Sequence, residues 1–398
     1  MGANMRRLSF STHGWILFFS ALSLAMLGIV MVYSVTGGLL LSKHYAAIHK
    51  NPGDFPDTLA FLKNQALYVF FGITACFMLT FIPTWILHRL VKPAIIVAFL
   101  SLLAVLFLGV NVNGAHRWFL FFGISIQPME FAKIALILYL AYIIEKRAEM
   151  ITDPWKGFGQ PIFVTGIMVL LLLLQPDLGS SVLFMLIAGL MLFLAGSRLY
   201  YFAFTTAGVI PILWYYMAAG WRLSKRIIPF LHPEYFSQGA AYQIVRSLDA
   251  FGSGGTWGYG LGEGPYKLDF LPEAHTDYIA AMIGQEFGFA GIVFLIFLYG
   301  CFLYAGVRIA LFHRHHLFRF LLGMGLVLQL VLQAIINLSV VMNIIPSKGI
   351  TLPFVSFGGS SLLVSFIALG LLLRLDRERL IMKTQVSPSP LAVPQFES

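Results

Sequence analysis

The sequence predicts an all-α integral membrane protein of about ten transmembrane helices, and three observations carry that prediction. The chain of 398 residues is 59% hydrophobic and 11% charged, where a soluble domain carries about 25% charged residues. Apolar runs of bilayer length recur from one end to the other. The basic residues fall in the short segments between those runs, with an excess on alternate segments. Spans of about 20 residues pack laterally into one bundle, so a single membrane domain is expected over residues 14–376. A cytoplasmic segment precedes it at 1–13, and a cytoplasmic, Pro-rich, disordered tail follows at 377–398.

The runs fall near 14–35, 65–87, 93–111, 128–144, 161–175, 180–196, 199–219, 277–304, 318–345 and 356–374. The first is too long for a signal-peptide core and lacks a small-residue cleavage site, so it reads as a membrane helix. The fifth and sixth are separated by "QPDLG" alone, a tight exposed hairpin or a break inside the bundle, of which the hairpin is the favoured reading; Asp177, beside Pro176, is placed to cap the next helix. An even number of spans puts both termini on one side. Arg6, Arg7, Arg89, Lys92, Lys146 and Arg147 are among the basic residues of that side, against Lys43, Lys50, Lys63, Arg117 and Lys348 in the short loops opposite. Both termini are therefore expected in the cytoplasm. The net charge of +9 follows from this orientation; no long basic run points to nucleic acid. Cys76 and Cys301 lie inside apolar runs and imply no disulfide framework.

One outer loop, about 220–276 between the seventh and eighth spans, is nearly sixty residues long. Its acidic and basic groups balance and it is rich in aromatics and glycine, a composition that reads as ordered and functional. Two readings stand for its run "GSGGTWGYGLGEG": backbone amides approaching an anion such as a diphosphate, or a set of tight turns or a re-entrant segment. Arg246 and Asp249 stand at helical spacing and can compensate each other.

Ionisable residues near the bilayer are the candidate functional groups. Glu130 and Lys133 in "QPMEFAKIALILYL" are three apart on one helical face, where an ion pair serves either helix packing or function. Trp118 in "NGAHRW" is either an interfacial anchor or a substrate-contacting aromatic. Asp277 stands where polar "PEAHT" gives way to "YIAAMIG", with His275 two residues before it. Partial burial there raises a carboxylate pKa toward the range of a general base; capping the following helix is the other reading. Gln329, Gln333 and Asn337 repeat every four residues, a polar stripe that lines a cavity or meets a partner helix.

Several ordered motifs then carry a resemblance: "FLKNQ", "NGAHRW", "QPMEFAKIA", "QPDLGSS", "GSGG", "LPEAHTDYI" and "LPFVSFGGSSLL". The chain resembles the SEDS family (shape, elongation, division and sporulation) of peptidoglycan glycosyltransferases, and "PSKGITLPFVSFGGSS" is most similar to its division-type branch. The resemblance implies polymerisation of lipid II into glycan strands at the outer face of the bacterial inner membrane, at the division septum, with undecaprenyl diphosphate as leaving group. It implies Asp277 as the catalytic residue, Trp118 as cavity lining, and functional roles for Glu130, Lys133 and His275. The diphosphate is expected to meet Lys133, Arg246 or Lys348, in that order. The sequence identifies no cofactor and leaves a divalent cation open. Implied partners are a class B penicillin-binding protein, other divisome membrane proteins and membrane lipid. Gln285 and Phe357 depart from the acidic residue and tyrosine usual in the family. A lipid II flippase and a non-catalytic divisome scaffold are the competing functions.

Overall fold

The structure, a computed structural model, describes residues 10–48, 59–112, 115–121, 124–218, 228–236, 241–265, 271, 273–346 and 349–386. Three helices open the chain, α1 (Thr12–Ile48), α2 (Ala60–Leu79) and α3 (Thr84–Leu108), followed by strands β1 (Val110–Val112), β2 (Ala115–Phe121) and β3 (Ile124–Ile126). Then come α4 (Pro128–Lys146), α5 (Gln160–Leu174), α6 (Leu178–Leu194) and α7 (Leu199–Ala218). The short α8 (Ile228–Leu231) and α9 (Tyr242–Ser253) lead to the long α10 (Ile279–Phe312), α11 (Leu317–Val341) and α12 (Gly359–Val386).

A helix stands at each of the ten apolar runs, and by length and composition seven helical segments among the described residues can cross a membrane. The chain is a multi-pass membrane protein. The run at 65–87 is divided between two helices. Pro83, extended at ψ 145°, ends the turn after α2 and starts α3, because proline cannot donate the helical N–H and disfavours helix in the residue before it. In the bundle, α4, α11 and α12 are largely enclosed, while α2 and α3 are peripheral. Close backbone approach fixes α12 on α2: a Cβ at Gly370 would lie 2.6 Å from the Cys76 carbonyl oxygen.

The three strands form an antiparallel meander in the order β1-β2-β3, at the end of the bundle where α3 stops and α4 starts. The "QPDLG" reversal lies beside it and is buried, which corrects the exposed hairpin expected there. Gln175 donates from Nε2 to the Leu102 carbonyl at 3.0 Å, and the Asp177 carboxylate accepts from the Ser180 amide at 3.1 Å and its hydroxyl at 2.7 Å. The polar groups of the turn are thus satisfied inside protein, and Asp177 is the cap of α6.

The glycine run of the large loop resolves toward tight turns. Gly288 interrupts α10 with φ +67°, and residues 254–260 fill the gap. Tyr259 and Gly260 donate to the carbonyls of Gln285 and Glu286, and Phe289 and Ala290 donate to those of Gly255 and Thr256, all at 2.9–3.1 Å. These amides are occupied by the broken helix and do not cradle an anion. Parts of the loop, 219–227, 237–240, 266–270 and 272, lie outside the described residues.

At the opposite end α12 continues beyond 376 to Val386. Charge pairing holds this extension inside the bundle: Glu378 accepts from Arg374 at 2.6 Å, Arg319 at 3.0 Å and the Thr84 hydroxyl at 2.6 Å. Asp376 accepts the Ser11 amide at 2.7 Å just before α1. The polar tail therefore begins later than the apolar run indicates, and residues 387–398 lie outside the described residues, as do 1–9.

Candidate active site

A cavity of about 620 Å³ opens at the end of the bundle that carries the sheet. Its wall is built from the strands, the N-terminal turns of α4 and α6, the far half of α11, the segment before α12 and the turn before α10.

That last turn holds Asp277. The amides of Thr276 and Tyr278 both donate to the Glu273 carbonyl at 3.2 Å, and the turn is clamped from two sides. Asn337 of α11 donates to the Asp277 carbonyl at 2.8 Å and to that of Ile350 at 2.6 Å. Ser356 donates to the Thr276 carbonyl at 2.6 Å, and the Phe357 amide to that of His275 at 2.9 Å. The carboxylate lies against Gly349, where an added Cβ would stand 2.7 Å from Oδ2; a larger residue there would displace it. Half-buried, Asp277 has its pKa pushed up to about 7, first by burial and then by the carboxylates of Glu273 and Asp177, with Arg117 opposing. Near neutral pH both protonation states are populated.

Glu130 and Lys133 form the expected ion pair at 2.7 Å, both buried in the first two turns of α4. Lys133 also donates to Gln333 Oε1 at 2.7 Å. Gln333 Nε2 in turn donates to the Thr351 carbonyl at 2.9 Å, and the Thr351 and Ser361 hydroxyls are 2.6 Å apart. The polar stripe of α11 thus faces inward: Gln333 orients the lysine, and Asn337 positions the aspartate turn.

Trp118 lines the cavity, and so does its neighbour Arg117. In the β1–β2 pairing, Val110 faces Trp118 and Asn111 faces His116, so Arg117 has no partner across the ladder. This bulge lets adjacent side chains reach the same cavity. His275 does not line it; its ring stands between Phe61 and Phe357, with centroids 5.5 and 5.7 Å away. Arg246 is also off the wall, over the Tyr242 ring at 5.3 Å and paired with Asp249 at 3.3 Å. Lys348 lies outside the described residues. Gln243 and Glu273 join the lining; Glu273 is one of the ionisable residues of the "LPEAHTDYI" motif, but nothing in the pattern around Gln243 marks it. Among the described residues no three His, Cys, Asp or Glu side chains are grouped to hold a metal ion, so a divalent cation finds no preformed cage there.

Fold and site together define a polytopic membrane protein with a carboxylate of raised pKa, Asp277, in the wall of a cavity at one end of the helix bundle. The cell cycle protein family of FtsW, RodA and SpoVE matches residues 15–380, and the chain belongs to this family. It is 37% identical over 363 residues to a probable peptidoglycan glycosyltransferase FtsW of Trichlorobacter lovleyi, covering 91% of this chain and 92% of that one. To the probable peptidoglycan glycosyltransferase FtsW of Haemophilus influenzae it is 37% identical over 335 residues, 83% and 84% of the two chains. A solved structure described as the coordination of polymerization and crosslinking by a peptidoglycan synthase complex superposes with a TM-score of 0.73 at 27% identity, covering 94% of this chain and 99% of that one. The rod shape determining protein RodA of Thermus thermophilus gives 0.65 at 26% identity, covering 94% and 98%.

Proposed function

We propose that this protein is a peptidoglycan glycosyltransferase of the division branch, polymerising lipid II at the outer face of the bacterial inner membrane during septal wall synthesis. The observation that carries the reading is Asp277: a carboxylate in the cavity wall, positioned by Asn337 and Gly349 and with a pKa raised to about 7. A sugar hydroxyl is a poor nucleophile, and a base matched to neutral pH removes its proton as it attacks. The acceptor oxygen forms a bond to the anomeric carbon of the donor while its proton passes to Asp277. The anomeric carbon–oxygen bond breaks, and its electron pair leaves with undecaprenyl diphosphate.

The interior favours this over transport. Further along the helices from Lys133, Leu136, Ile137 and Leu140 of α4 and Val327 and Leu330 of α11 are all 0% exposed, with Gln329 buried among them, so the lining gives way to closely packed, mostly apolar side chains. A class B penicillin-binding protein, crosslinking the strand made here, is the proposed partner; the likeness to a synthase complex that joins polymerization to crosslinking supports it. Purified protein supplied with lipid II tests the activity. Wild type is expected to yield glycan polymer and Asp277→Ala none, with both accumulating equally in membranes; a fully active Asp277→Ala protein would remove the assignment.

A further inference from the structure

Of the three cations expected to meet a diphosphate, Lys348 lies outside the described residues, Lys133 is committed to buried partners and Arg246 is off the wall. Lys133 is 1% exposed and donates to both Glu130 and Gln333, so its charge is already neutralised. Arg246 is paired with Asp249, away from the cavity. Among the described residues the lining holds one other cation, Arg117.

Arg117 is differently held. Its Nε donates to the Gln175 carbonyl at 2.8 Å and one terminal nitrogen to the Pro176 carbonyl at 2.6 Å, at the C-terminal end of α5. Among the described residues it makes no ion pair with a carboxylate. Carbonyl partners orient a guanidinium without cancelling its charge, and the C-terminal end of a helix favours a cation. A guanidinium has five N–H donors in a fixed fork, and the second terminal nitrogen remains for a ligand. The bulge in β2 brings this group to the same wall as Trp118, close enough to Asp277 to oppose the rise in its pKa. The lining otherwise carries Asp177, Glu273 and Asp277 beside the self-neutralised Glu130–Lys133 pair. A doubly charged anion entering these acidic surroundings needs a fixed cation that is not locked in an ion pair, and among the described lining residues Arg117 meets that condition.

We propose that Arg117 is the diphosphate-binding residue of the polyprenyl-linked donor, presented by the β2 bulge and held by the carbonyls of Gln175 and Pro176. This rests on the glycosyltransferase reading and names the contact that holds the leaving group. Charge grows on the diphosphate as the anomeric bond breaks, so the same contact strengthens toward the transition state.

Binding of undecaprenyl diphosphate and undecaprenyl monophosphate to purified protein in detergent, in an Asp277→Asn background that cannot turn over, isolates this contact from the chemistry. Adding Arg117→Gln is expected to weaken diphosphate binding about tenfold or more, the loss of a charged hydrogen bond, and monophosphate binding less. Equal diphosphate affinity with and without Arg117→Gln overturns the assignment. If that variant fails to fold because β2 loses its tether, Arg117→Lys keeps the charge without the fork. A reduced preference for diphosphate over monophosphate then supports the proposal, and an unchanged preference overturns it. An Asp277→Asn protein that still polymerises lipid II refutes the base assignment alone, since the Arg117 comparison is then made by inhibition of the reaction.

Discussion

Asp277 has its main-chain carbonyl fixed by Asn337 and its carboxylate set against Gly349, so its position and its proton affinity can be changed separately. As a base it acts in the ionised form, and polymerisation should rise with pH through about 7. Glu273→Gln removes a negative neighbour, favours the ionised carboxylate and should move that rising limb to lower pH; rates measured from pH 5 to 9 check both. Stability moves the other way. The folded-state pKa lies above the ordinary carboxylate value, so stability is fully present in acid and lost as pH rises through about 7. Asp277→Asn should therefore melt above wild type at pH 8 and level with it near pH 4, in thermal scans in detergent. For the buried pair, Lys133→Met strands Glu130 and should cost about 3–5 kcal/mol. The Glu130→Gln, Lys133→Met double variant should recover much of that loss, which a lower melting temperature for the double than for the single would contradict. Asp277 and the 130–133 pair were legible in the sequence because charge inside apolar runs is conspicuous. Arg117 was visible only as a loop charge, since a bulge and two carbonyl partners leave no trace in composition.

Among the elements, the break in α10 is the most constrained by sterics. A Cβ at Gly288 would stand 2.4 Å from the Gly258 amide nitrogen, and one at Gly258 would stand 2.2 Å from the Glu286 carbonyl oxygen. Gly260 has φ +95° but its nearest neighbour is 4.0 Å away. Gly288→Ala and Gly258→Ala should therefore separate the loop from α10 and expose residues 254–262 to protease, whereas Gly260→Ala should cost only about 1 kcal/mol of backbone strain. Limited proteolysis of the three variants in detergent reads the difference. The ten apolar runs announced their helices because hydropathy over bilayer length depends on composition alone. The meander did not, since its outer strands have three residues each and its pairing is fixed by the helices it joins. The insertion of 254–260 into α10 was equally hidden: glycines mark where backbones can meet, without naming the partner.

Among the described residues, clusters of charged groups gather at the two ends of the bundle, and the side chains between them are mostly apolar. At the end away from the cavity, Glu378 gathers Arg319, Arg374 and Thr84 from three helices. Glu378→Ala should leave two arginines uncompensated and cost about 3–5 kcal/mol, seen as reduced membrane yield and a lower melting temperature while Asp277 keeps its surroundings. This end was the least legible in the sequence, because "RLDRERL" reads as the close of a membrane run until its partners on other helices are known. Asp376, in that same stretch, caps the start of α1 across 365 positions of chain. During synthesis at about 5–20 residues per second, the ribosome delivers α12 roughly 20–70 s after α1. For that interval the first helix waits in the membrane without its cap. Assembly therefore cannot finish vectorially from the N-terminus: α12, translated after the other described helices, supplies the residue that locks the start of α1.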